Sequence, residues 1–66
     1  MSTVTVTHGM WEYVGNVRDG EVSNVRVLNC GRPVEVSSEE LDEVEDILYL
    51  AATGTRFAGM SIKVGE

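Results

Sequence analysis

VSSEELDEVEDILYLAATG, residues 36–54, is the stretch on which the fold turns. Its apolar residues recur at helical spacing. Projected at about 100° per residue, Leu41, Val44, Ile47, Leu48, Ala51 and Ala52 fall on one arc and form a core stripe. Both ends carry stop signals. Ser37 suits the N-cap and Glu40 falls at N3, the two halves of a capping box. Val36 and Leu41 are spaced for the hydrophobic staple beside it. Gly54 is a natural C′ residue, because glycine accepts the left-handed backbone that closes a helix. The pattern predicts one amphipathic helix from Ser38 to about Thr53.

The segments before this helix alternate with period two instead. Ser2–Thr7 interleaves threonine and valine, as a strand with one apolar face does. Gly9 breaks it, and Met10–Val17 reads as a second strand, with Trp11, Tyr13, Val14 and Val17. Asp19-Gly20 then signals a type I′ hairpin, whose two central residues both need positive φ. A third strand, Glu21–Leu28, follows. A regular hairpin register places Tyr13 opposite Arg26 and Trp11 opposite Leu28. Asn29-Cys30-Gly31-Arg32-Pro33 reads as a turn, and Val34–Val36 as a short strand or the lead-in to the helix. Beyond the helix, the stretch from Arg56 to Val64 alternates again. Ala58, Met60, Ile62 and Val64 are then expected to point at the helix.

The expected fold class is α+β, in a single domain over residues 1–66. It has a small antiparallel or mixed β-sheet of four to five strands, with one amphipathic helix packed on one face. The order is β-β-β-(β)-α-β. So short a chain buries only about 60% of the surface its unfolded form exposes, so docking on another molecule would add usefully to its stability.

Composition narrows the function. The 66 residues carry eleven acids and five bases, for a net charge of −6. Arg18, Arg26, Arg32, Arg56 and Lys63 are scattered, so no basic patch is expected to meet a phosphate backbone or an anionic membrane directly. The longest apolar run, Ile47–Ala52, is far short of the ~20 residues that cross a bilayer. No signal peptide is legible at the N-terminus. A lone cysteine, Cys30, cannot make an intrachain disulfide, which suggests a reducing, cytoplasmic setting. Cys30 reads as a small filler or turn residue, and the one histidine, His8, as a strand-edge residue. No nucleophile is tied to His8 by spacing, no Cys/His set suits zinc, and the glycines form no phosphate-cradling loop. Neither an enzyme activity, a cofactor nor a metal site is expected.

The informative feature is the outer face of the predicted helix. Glu39, Asp42, Glu43, Glu45 and Asp46 fall opposite the core stripe, with Glu40 at the cap. Those six acids account for the whole net charge, since the other five acids match the five bases. First-turn acids favour the helix dipole. Glu43, Glu45 and Asp46 lie deeper, and Asp42–Asp46 and Glu39–Glu43 are like-charge pairs that cost stability. Tyr49 and Leu50 project onto the same arc, where an exposed aromatic and leucine could anchor an interface. Alternatively, Tyr49 folds over a strand edge and Leu50 packs on the 53–56 loop.

The expected partner is a protein with a basic surface, met by Glu39, Asp42, Glu43, Glu45, Asp46, Tyr49 and Leu50. A DNA-mimicking surface on a nucleic-acid-binding site is a special case. A second candidate interface is Trp11, Tyr13, Arg26 and Leu28 on the hairpin. It would serve a homodimer or larger assembly if those residues are not core. In architecture and acidity, the run from Val36 to Asp46, followed by a strand near Phe57, resembles the small host RNA polymerase inhibitors of lytic phages. That resemblance covers about half the chain. It implies an inhibitor of host nucleic-acid machinery working in the host cytoplasm.

Overall fold

The computed structural model describes residues 2–65. Its strands are β1 (Ser2–His8), β2 (Trp11–Arg18), β3 (Glu21–Asn29), the two-residue β4 (Arg32–Pro33) and β5 (Ser61–Gly65), with one helix, α1 (Ser38–Ala52). The five strands form one antiparallel sheet in the order β4-β3-β2-β1-β5, and α1 packs on one face. The expected α+β architecture is thus the one the chain adopts.

Local chemistry explains the elements. Asp19 and Gly20 both have positive φ, 51° and 81°, as a type I′ hairpin turn requires. Cys30 and Gly31 repeat the arrangement at 52° and 80°, so the segment expected as a turn is a second tight hairpin, joining β3 to β4. Ser37 caps α1, its Oγ accepting from the Glu40 N–H at 3.3 Å. The C-terminus closes as a Schellman motif. The Thr55 N–H donates to the Leu50 carbonyl at 3.0 Å and the Gly54 N–H to that of Ala51 at 3.2 Å, with Gly54 at φ +102°. Nothing lies within 4 Å of a Cβ built on Gly54, so the cost of a side chain there is conformational and not steric. Gly54→Ala is expected to cost about 1 kcal/mol, read as a fall in thermal midpoint of roughly 4–8 °C.

The core lies between α1 and the inner sheet face. Val4, Val6, Val27, Val44, Leu48 and Ala51 are buried, and Leu41, Ile47 and Ala52 are half-buried beside them. This is the stripe the helical spacing implies.

The β2–β3 register departs from expectation. Arg18 pairs with Glu21 and Asn16 with Ser23, but Val14 then pairs with Arg26, so β3 carries one extra residue. Asn24, at φ 52°, is the bulge. Beyond it Tyr13 faces Val27, not Arg26, and Trp11 faces Asn29, not Leu28. The bulge keeps Val22, Val25 and Val27 on the helix side despite their uneven spacing. It also sends Arg26 and Leu28 to the opposite face of the sheet from Trp11 and Tyr13.

The last strand is shorter than its alternation suggests. β5 starts at Ser61, because Gly59, at φ +76°, turns the chain just before it. Ala58 is consequently exposed and Val64 is 52% exposed, while Met60 and Ile62 pack against the core as expected. Val34–Val36 is lead-in chain and not strand.

Candidate functional site

On α1 the structure gathers Glu39, Asp42, Glu43 and Asp46 on the exposed arc, with Leu50 40% exposed beside them. Two expected members sit elsewhere. Glu45 is half-buried, because one turn in each direction brings it beside Leu41 and Leu48 at the edge of the core stripe. Tyr49 stays 41% exposed but leans over the Asp19–Gly20 turn, its ring Cε1 3.9 Å from where a Gly20 side chain would begin. Its ring edge thus lies near the hairpin tip while the residue stays largely solvated. The Leu50 carbonyl is tied into the C-cap by the Thr53 Oγ1–H at 2.8 Å, while its side chain remains accessible.

Among the described residues the helix acids meet no cationic partner. Among the described residues the only ion pair is Arg18–Asp19, at 3.8 Å on the solvated hairpin turn. The five cations are all exposed. Strand alternation places Arg18, Arg26 and Lys63 on the sheet face away from α1. Arg32, paired with Asn29, lies on the helix side at β4, and Arg56 in the loop after α1, and neither is ion-paired with the helix acids among the described residues.

Spacing along the chain did not reveal a cleft beside this face. Trp11 and Tyr13, alternate residues on the helix side of β2, form one wall of it, and the Glu40–Glu43 flank of α1 forms the other. Val27, Val44 and Ile47 supply an apolar floor, and the cleft encloses about 230 Å³. Trp11, at the open end of the cleft, is 39% exposed. The signal in the sequence was the uneven run Val22, Val25, Val27. That run marks the bulge which puts Val27 under Tyr13 and leaves Trp11 at the open end.

The hairpin set is divided by the same register. Trp11 and Tyr13 line the cleft, whereas Arg26 and Leu28 lie on the outer sheet face, so the four do not form one patch. Cys30 is a free, exposed turn residue, its Sγ 3.5 Å from the Met10 Sδ, and His8 is exposed where β1 ends. Among the described residues no three His, Cys, Asp or Glu side chains converge as metal ligands. No described helix is long and apolar enough to cross a membrane. No protein-family model matches the chain, and no curated protein or solved structure is significantly similar to it.

Proposed function

We propose that this chain is a non-enzymatic protein-binding module that docks through the acidic face of α1 on a basic surface of its partner. The observation that carries the reading is the lack of internal neutralisation. Six carboxylates share one helix, and among the described residues none has a cationic partner. Their mutual repulsion costs the free protein stability, and a basic partner would relieve it. Glu39, Asp42, Glu43 and Asp46 form the charged field, Leu50 an apolar contact within it, and Glu45 and Tyr49 its flank. The most concrete version is an inhibitor of nucleic-acid machinery, the helix occupying a groove that otherwise holds phosphates.

The test is capture from a lysate of the native cell by the immobilised chain. Wild type is compared with Asp42→Lys/Glu43→Lys/Asp46→Lys, at low salt and at about 1 M salt, where the Debye length falls to roughly 3 Å. Capture is expected at low salt only, and only by wild type. A retained set that is indifferent to both changes would remove the docking reading.

The competing reading is an assembly protein that associates through a sheet edge. It draws support from β5, a terminal strand with one unpaired edge and with Val64 52% exposed. Sedimentation separates the two, since a monomer at every concentration excludes assembly.

A further inference from the structure

We infer that the cleft between Trp11–Tyr13 and Glu40–Glu43 is a receptor for a single arginine side chain of the docked partner. This rests on the docking reading above and specifies its anchor. Three features of the cleft point to a guanidinium. First, two aromatic residues, Trp11 and Tyr13, line one wall, and an arginine stacks on aromatic rings. Second, Glu40 and Glu43 lie three residues apart on the facing helix flank, offering two carboxylates to one planar fork of donors. Third, the Val44 and Ile47 floor is apolar, which suits the aliphatic stem of the side chain.

The alternatives fit less well. An anion would be repelled by the two carboxylates. The volume, about 230 Å³, is below the roughly 300–1,000 Å³ of sites for drug-sized ligands, so a side chain suits it better than a ligand of that size. A lysine ammonium is a compact, strongly hydrated charge that gives up more on entering an apolar floor and cannot stack. Charge complementarity, planarity and size thus converge on arginine.

Trp11 is the only tryptophan, so its fluorescence reports the cleft directly. The whole chain is titrated with blocked Ala-Arg-Ala, Ala-Lys-Ala and Ala-citrulline-Ala. The arginine peptide is expected to give a saturable change. Citrulline, which keeps the shape and loses the charge, is expected to bind at least about tenfold more weakly, and lysine at least about threefold more weakly. Glu40→Gln/Glu43→Gln is expected to weaken arginine binding at least about tenfold. Glutamine also keeps the cap of α1 compatible with the fold. The charge-matched control Asp19→Asn/Glu21→Gln, on the hairpin tip, is expected to leave it unchanged. Backbone amide shifts at Tyr13 and Ile47 locate the peptide and confirm that each variant is folded. The assignment is overturned if arginine gives no saturable change, if citrulline binds equally, or if the Glu40/Glu43 variant binds as wild type does. Failure here with lysate capture still sensitive to reversal at Asp42, Glu43 and Asp46 would remove the cleft and leave the docking face. Loss of that sensitivity with arginine still seated would do the opposite.

Discussion

Leu48→Ala is expected to cost about 3–5 kcal/mol and to leave the chain largely unfolded at 37 °C. Leu48 is fully buried, and with Val4 and Val6 it is one of the three largest side chains wholly removed from solvent. It drops from α1 onto β2 at the centre of the sheet, so truncation leaves a cavity lined by residues that no other element can refill. Leucine-to-alanine changes at such sites cost 2–5 kcal/mol, through lost transfer energy plus the cavity left behind. A domain of this size commands only ~3–10 kcal/mol in total. Leu50→Ala, two positions on and 40% exposed, is expected to cost less than about 1 kcal/mol. Urea unfolding followed by far-UV circular dichroism gives both values. Equal losses for the two variants would mean that the helix does not seat on the sheet by the face assigned here.

That face is legible in the sequence, and the reason is physical. Helix signals are local. The Ser37 cap, the Gly54 C′ position and the recurrence of Val44, Leu48 and Ala51 all lie within one segment and need no knowledge of what packs against it. The Asp19-Gly20 turn is local in the same sense. The β2–β3 register is not. It depends on a bulge at Asn24, and one extra residue reverses the facing of every residue beyond it. Extending the hairpin regularly therefore merged Trp11 and Tyr13 with Arg26 and Leu28, and hid the cleft that the two aromatics make with α1. Glu45 shows a milder version. A wheel divides residues into two faces, but a helix on a sheet has flanks, and Glu45 falls on one. The acidity of the helix could be read from the positions of its six acids along the sequence. Its lack of ion pairs among the described residues could not, because it depends on where the fold puts the cations, with Arg18, Arg26 and Lys63 on the far face of the sheet.

Gly15→Ala is expected to cost about 1–3 kcal/mol, although it adds a single methyl group. Gly15 is buried on β2 beneath α1, beside the bulge. Its backbone does not adopt a positive φ, so glycine is required there for space and not for conformation. A Cβ built at this position comes within 2.8 Å of the Leu48 Cδ1, with the Ser23 carbonyl oxygen and Val22 Cγ1 at 3.5 Å. Leu48 is completely enclosed, so it cannot swing away without displacing its neighbours, and overpacking of this kind typically costs 1–3 kcal/mol. The two substitutions must therefore interact. Once Leu48 is alanine the clash is gone, and the methyl at position 15 fills part of the cavity. The double variant Gly15→Ala/Leu48→Ala is expected to be at least about 1 kcal/mol more stable than the sum of the single losses. Because Leu48→Ala alone is marginal, the cycle is best measured in a stabilising osmolyte such as TMAO. Strict additivity would mean that α1 does not lie over Gly15. The Trp11 cleft, which the same helix placement creates, would then lose its second wall.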